Sequence, residues 1–371
     1  MKRLILALVG VLPLLLPAAH AFGFQDALQA AQTRPDAVTK RLVLLNDSNE
    51  LVRVQGDPLA LKMDLVKAQQ AVALDRAQLE KAYDDALVTI AQAYTGVLEA
   101  REQAALADKG VEVSQASLDI AKIRRGNGSG TDLDVQDAQV SLDNATKNAQ
   151  TAHKSLAIAE ANLEGLVGQT LDPGALEPIP DAFLVDVPSA EAATRALPRT
   201  PQLLQSQQGL VLARLGVQML DPSYASDSQI ESAKTQLQTT EKLVTEAQRG
   251  LEIQAKNLVV QAQSAAESHR IEQDNLSNAD QRLGFASDRL KAGLIPKIQF
   301  QKAQLDQLQA KLSALQARDA YVVALLQLQA GTQLHLQGPS VYDFAATVGP
   351  LPGDAGAAPS GGAGNGSSHG Q

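Results

Sequence analysis

The chain has 371 residues, a formal net charge of −9 and no cysteine. The acidic balance argues against nucleic acid and anionic membrane surfaces as partners, because both attract clustered lysine and arginine. Without cysteine there is no disulfide, thiolate nucleophile or thiolate metal site, so stability has to come from packing or assembly.

The first 21 residues have the pattern of a secretory signal peptide. Lys2 and Arg3 precede an apolar run over residues 4–16, and residues 19–21 have the small-x-small pattern of a cleavage site. The apolar run is shorter than the ~20 residues that a membrane-spanning helix needs. We therefore expect an exported, unanchored protein of the cell envelope or the exterior.

A long segment without proline follows, over residues 59–123, with apolar residues at helical spacing. The pattern predicts one helix of ~65 residues, roughly 97 Å long. This helix ends at the glycine-rich turn 125–130, where Thr131 and Asp134 have the spacing of a capping box. A return helix is expected over residues 132–166.

A second unit has the same plan. Its long helix is expected from about Ser228 to Lys291, followed by a turn at residues 292–295 and by Pro296 near the start of the next helix. Leucines at heptad spacing continue there, which predicts long antiparallel coiled-coil hairpins. One chain cannot cover every face of such rods, so we expect lateral packing into a larger array.

The two turns share residues at a constant offset of 165 positions, so we interpret the mature chain as a duplication. The matched pairs are Arg124 and Arg289, Gly128 and Gly293, Asp134 and Gln299, Val135 and Phe300, and Ala138 and Ala303. The expected organisation is a signal peptide (1–21), a first helical repeat (22–168), a Pro-rich connector (169–188), a second helical repeat (189–336) and a low-complexity tail (337–371).

Residues 36–57 allow two interpretations. The segment can be a helix, or residues 41–45 and 50–54 can pair as a short hairpin around the polar stretch 46–49. Strands this short would not span a bilayer core of ~30 Å. The corresponding segment of the second unit, residues 202–221, has a helical pattern.

No catalytic or metal-binding pattern is present. The histidines of the mature chain, His153, His269, His335 and His369, have neither metal-binding spacing nor a carboxylate partner at a telling distance in the sequence. There is no phosphate-binding loop after a strand and no pairing of a nucleophile with a base. We therefore predict no enzyme activity, no cofactor and no metal.

Taken in order, these features resemble the TolC-type outer-membrane efflux proteins over roughly residues 24–334. Each repeat opens with a short helix followed by proline, at Ala30 to Pro35 and at Ala196 to Pro201, and continues with long helix, tip and return helix. The resemblance implies an all-α protomer of internally duplicated long antiparallel coiled-coil hairpins. Family members form homotrimers in which twelve long helices make a periplasmic tube below a β-barrel.

The strands of that barrel have little room in this chain. In the family a strand pair separates the opening helix from the long helix, but the predicted long helices leave only residues 36–57 and 202–221 for this purpose. We therefore expect the β-barrel to be missing or much reduced. The expected location is the periplasm, with peripheral association at the outer membrane.

The resemblance also implies that the tips contact a periplasmic adaptor of an inner-membrane transporter. The implied adaptor-binding residues are Arg124, Gly128, Asp134, Val135 and Ala138 in the first tip and Arg289, Gly293, Leu294, Gln299, Phe300 and Ala303 in the second. Asp134 and Asp137 would place negative charge at the mouth of the tube. The second repeat has Gln299 and Lys302 at those two positions.

Two functions from different classes follow. The first is a component of an efflux or secretion conduit that passes substrates through an oligomeric helical tube, together with an adaptor, a transporter and another outer-membrane component if one is needed. The alternative is a barrel-less envelope spacer or scaffold without transport activity. A ring with an open lumen favours the first function, and a filament or closed bundle favours the second.

Overall fold

The structure, a computed structural model, describes residues 22–171 and 176–336. The expected signal peptide and low-complexity tail lie outside the described residues. The α-helices are α1 (Phe24–Gln29), α2 (Pro35–Gly56), α3 (Lys62–Gly126), α4 (Asp132–Val167), α5 (Ala190–Ala196), α6 (Pro201–Gln218), α7 (Asp227–Lys291) and α8 (Lys297–Thr332), with single-turn 3₁₀ helices at Ala30–Thr33, Asp181–Phe183 and Leu197–Arg199.

The fold is all-α and internally duplicated, as the sequence predicts. Helices α3 and α7 each have 65 residues, and the return helices α4 and α8 each have 36. Both the long helices and the return helices are related by the same 165-residue offset. Residue positions in one hairpin can therefore be matched one to one with positions in the other.

Each repeat begins with the same short element. A helix of one to two turns passes into a 3₁₀ turn, and Pro35 or Pro201 then occupies the first turn of the next helix, where its missing N–H is tolerated. Ala27 and Ala193, at matching places in α1 and α5, are both fully buried. These small residues let the opening helix pack closely on the long helix.

The hairpin interpretation of residues 36–57 is wrong, because the segment lies in one helix, α2. Ala37 and Leu44 of α2 are buried in a cluster with Leu79 and Tyr83 of α3. Within the polar stretch, the Ser48 hydroxyl donates to the Leu44 carbonyl at 2.7 Å. Packing against a distant helix thus overrides a local turn preference.

Strand pairing is minimal in the part of the chain that is described. It consists of one isolated parallel bridge between Phe22 and Leu176. Among the described helices, none is both long and apolar enough to cross a membrane.

The four long helices form a layer in the order α4, α3, α8, α7, because α3 packs on α4, α7 packs on α8, and α3 packs on α8. Polar pairs across the antiparallel α3–α8 seam fix its register. They are Gln301 to Glu112 at 2.9 Å, Lys311 to Glu102 at 2.9 Å, and Gln329 to Asp84 at 2.7 Å. The two hairpin tips therefore lie at the same end of the molecule, and α4 and α7 are the outer helices.

The main hydrophobic core lies partway along the rods, where the connector crosses them. The Tyr94 hydroxyl is within hydrogen-bond distance of two carbonyls, Phe22 at 3.1 Å and Glu177 at 2.6 Å. The Phe24 ring packs edge-on against Tyr94 and Phe183. The connector therefore has a defined path here despite its lack of helical pattern.

Candidate partner-binding tips and lateral faces

The first tip is a Schellman turn at the end of α3. The Ser129 N–H donates to the Arg124 carbonyl at 2.9 Å, and the Gly128 N–H donates to the Arg125 carbonyl at 3.0 Å. Gly128 has φ 71°, which is the left-handed conformation that this motif requires. The backbone of Arg124 therefore serves the turn, while its side chain is exposed.

The second tip repeats this geometry at the end of α7. The Leu294 N–H donates to the Arg289 carbonyl at 2.8 Å, the Gly293 N–H donates to the Leu290 carbonyl at 2.9 Å, and Gly293 has φ 72°. The Arg289 side chain is exposed, and so is 69% of Leu294. An apolar residue that exposed at a turn is available to a partner.

The return helices begin differently in the two repeats. Thr131 and Asp134 form the predicted capping box, with the Asp134 N–H donating to Thr131 Oγ1 at 3.1 Å and the Thr131 N–H donating to Asp134 Oδ2 at 2.7 Å. The Thr131 backbone N–H is the main cause that lowers the pKa of Asp134. In the second repeat Pro296 is the N-cap without a side-chain hydrogen bond, so Gln299 has no matching role.

The charges on the two return helices differ in sign near the tips. Exposed Asp134 and Asp137 stand on α4, where Asp132 also forms an ion pair with Arg125 at 2.5 Å. At the matching positions of α8 stand exposed Gln299 and Lys302. The other predicted tip residues, Val135, Ala138, Phe300 and Ala303, are partly buried on the inner side of their hairpins.

Apolar residues are exposed along the two outer helices. On α4 they are Leu133, Val140 and Ile158, and on α7 they include Ile253, Val260, Ile271 and Phe285. At 100° per residue, each set falls on one side of its helix, within an arc of roughly 40°. Rows of exposed apolar residues of this kind are typical of protein interfaces.

The duplication shows what the same positions do when they are covered. Ile158 on α4 is 71% exposed, whereas its repeat equivalent on α8, Val323, packs against the main core. Val260 on α7 is 58% exposed, whereas its equivalent on α3, Thr95, is 5% exposed. The faces that meet in the α3–α8 seam are thus the faces that lie open on α4 and α7.

Two histidines that the sequence left without a partner have one in the structure. The His153 ring is 3.0 Å from Asp108, and His335 is 2.9 Å from Glu80. Their separation in sequence hid these pairs. The hydrogen bond from Glu80 raises the pKa of His335. Over residues 22–171 and 176–336 there is no group of three or more side chains placed to hold a metal ion.

Comparison with known proteins gives a family match for the first hairpin. Residues 60–169, which include all of α3 and α4, match the family model described as outer membrane efflux protein. No curated protein matches the sequence.

Solved structures match both hairpins. CusC, from crystal structures described as reporting on folding and transmembrane channel formation, is 14% identical, covers 84% of this chain and 96% of its own, and has a TM-score of 0.61. The Neisseria gonorrhoeae MtrE outer membrane channel is 13% identical, with 83% and 88% covered and a TM-score of 0.55. The Campylobacter jejuni CmeC outer membrane channel is 9% identical, with 87% and 88% covered and a TM-score of 0.55.

The class of fold is therefore that of the outer-membrane efflux channels. The resemblance to TolC-type proteins is confirmed, by the family match over α3 and α4 and by the fold over both repeats.

Proposed function

We propose that the protein is the subunit of an efflux or secretion conduit, in which copies close into a ring around a lumen. The observation that carries the proposal is the relationship between the covered α3–α8 seam and the open faces of α4 and α7. Helix α7 of one copy packs on α4 of the next as α3 packs on α8 within the chain. The interface is head-to-tail, and such interfaces make rings when the rotation closes.

The 165-residue offset supplies the register of this interface. Asp84 of α3 accepts a hydrogen bond from Gln329 of α8 within the chain. Shifting both positions by one repeat puts Arg249 of α7 opposite Glu164 of α4 in a neighbouring copy. The shift changes a neutral donor and an anion into a cation and an anion, which favours the interface electrostatically.

The number of copies follows from the family resemblance. Four long helices per chain and three copies give the twelve-helix periplasmic tube of TolC-type proteins. We propose a homotrimer, with its tips towards a periplasmic adaptor and an inner-membrane transporter. Exposed Arg124, Arg289 and Leu294 are the side chains best placed to meet the adaptor.

The opposite end of the molecule is assigned to the outer-membrane side. Leu59, between α2 and α3, is 86% exposed, and Tyr224, between α6 and α7, is 91% exposed. Because α2 and α6 are helices where the family has strand pairs, we propose a peripheral contact at this end, in cooperation with another outer-membrane component.

A charge-swap series tests assembly and transport together. Arg249→Glu and Glu164→Arg should each lower the oligomeric mass measured by light scattering and raise the accumulation of a fluorescent efflux substrate in cells. The double variant should restore both. Arg195→Glu, on exposed α5, is the control that should change neither.

Each outcome discriminates between the rival functions. A double variant that stays dissociated contradicts the proposed register. Normal efflux in cells that lack the protein, together with altered envelope spacing, would support the scaffold instead.

A further inference from the structure

A cleft of ≈ 450 Å³ lies between α3, α7, α8 and the connector. Its lining includes the apolar residues Leu98, Leu276 and Leu315 and the polar residues Arg101, His269 and Arg318. The cleft thus combines an apolar wall with a group of nitrogen donors, which is typical of sites for small amphipathic molecules.

Two buried nitrogens that line this cleft have no hydrogen-bond partner among the described residues. They are Arg318 Nε and His269 Nδ1, and His269 is only 9% exposed. Buried donors in proteins are almost always satisfied, because leaving one without an acceptor forfeits its hydration. Both nitrogens therefore call for an acceptor located in the cleft.

Both side chains are held in place by other contacts. Arg318 Nη2 donates to the Ile179 carbonyl and to Asp181 Oδ1, the latter at 2.6 Å. The His269 ring stacks on Tyr321, with centroids 6.2 Å apart and an interplanar angle of 27°. The remaining donors are therefore fixed at the cleft, which lowers the entropic cost of binding.

The duplicated architecture does not require these donors. The repeat equivalent of His269 is Ala104, and the equivalent of Arg318 is His153, which is half exposed and pairs with Asp108. The polar group at the cleft is thus a departure of the second repeat from the shared plan.

We propose that the cleft binds a small amphipathic organic anion, with its carboxylate between Arg318 Nε and His269 Nδ1 and its apolar part on Leu98, Leu276 and Leu315. The charged groups lining the cleft favour an anion. Arg101, Lys311 and Arg318 outnumber Glu102 and Asp181 by one positive charge.

The protonation of His269 gives a second readout. Burial is the main cause that lowers the pKa of His269, and the Arg318 charge lowers it further. A carboxylate bound between the two would favour the imidazolium and oppose both effects. Binding should therefore raise the pKa of His269.

Octanoate is a suitable probe, with 1-octanol as its uncharged match. Saturation-transfer NMR and calorimetry on the full mature protein should show saturable octanoate binding at millimolar concentrations and much weaker binding of octanol. His269→Phe keeps a ring on Tyr321 but removes Nδ1, and Arg318→Lys keeps the charge but removes Nε. Each should weaken octanoate binding about tenfold, the effect of one lost hydrogen bond to a charged group.

His153→Phe, at the repeat position equivalent to Arg318 and outside the cleft, is the control that should bind octanoate as the parent does. Circular dichroism verifies that every variant is folded. Three results would each overturn the proposal: equal binding of octanol and octanoate, no saturable octanoate binding, or affinity that both cleft substitutions leave unchanged. A pKa of His269 that stays constant on saturation with octanoate would also contradict it.

Discussion

Gly128 and Gly293 occupy the same place in two copies of one turn, 165 residues apart, with φ values of 71° and 72°. Each follows a helix of 65 residues and permits the hydrogen bonds that close its Schellman motif. The two glycines mark equal hairpin lengths, and this equality gives the repeat a single register from tip to base.

Alanine at either glycine should destabilise its tip. A residue with Cβ in the left-handed conformation costs roughly 1–2 kcal/mol, so Gly128→Ala and Gly293→Ala should each lower the free energy of unfolding by about 1 kcal/mol, measured by urea titration with circular dichroism. Gly284→Ala is the matched control in α7, because a Cβ there has open space in regular helix. It should raise stability by about 0.5–1 kcal/mol. Equal gains from all three substitutions would show that the turn is assigned wrongly.

The buried Asp319 should make stability depend on pH. Burial raises the pKa of Asp319 to about 8, and the charge of Glu99 raises it further than the opposing Arg318 charge lowers it. The folded state then keeps a proton that the unfolded chain releases near its ordinary pKa of ~3.9. Stability due to this group is therefore present below pH ~4 and is lost as the pH rises towards 8.

Asp319→Asn removes that proton equilibrium. The variant should lose less stability between pH 5 and pH 8 than the parent, by on the order of 1–2 kcal/mol, measured from the thermal midpoint at each pH. Asp84, whose pKa burial raises to about 7, contributes a residual slope of the same sign. Parallel pH profiles for variant and parent would mean that Asp319 is ionised in the fold.

Reversing the charge at the tips should weaken adaptor binding. Arg124→Glu and Arg289→Glu leave the backbone hydrogen bonds of both turns intact, because those bonds use carbonyl groups. We expect about a tenfold weaker affinity for the adaptor from the double variant, measured by surface-immobilised binding, with unchanged helicity. Arg195→Glu, on exposed α5, serves as control. Unchanged adaptor affinity in the double variant would assign both arginines to the turn alone.

The repeat and the rods can be predicted from the sequence because their signals are local. Absence of proline, helical spacing and two glycine turns fix α3, α4, α7 and α8 to within a few residues of their observed ends. The Thr131 and Asp134 capping box is equally local, since both partners stand within one turn.

Features that depend on distant parts of the chain are not visible in the same way. Helix α2 contains a polar stretch typical of a turn, and it is helical because Leu44 packs on Leu79 and Tyr83 of α3. His269 and Arg318 look isolated in the sequence, and the cleft they share forms only when α7, α8 and the connector meet. The open faces of α4 and α7 become informative only beside the covered α3–α8 seam.

The central claim, a closed ring in which α7 of each copy packs on α4 of the next, can be tested by covalent trapping. The chain has no cysteine, so Arg249→Cys with Glu164→Cys introduces the only two thiols. A short bis-maleimide reagent applied to the purified double variant should produce dimers and then covalent trimers, with nothing larger. Each single variant should remain a monomer on a denaturing gel. A ladder without an upper limit, or no cross-linked product at all, would contradict the ring.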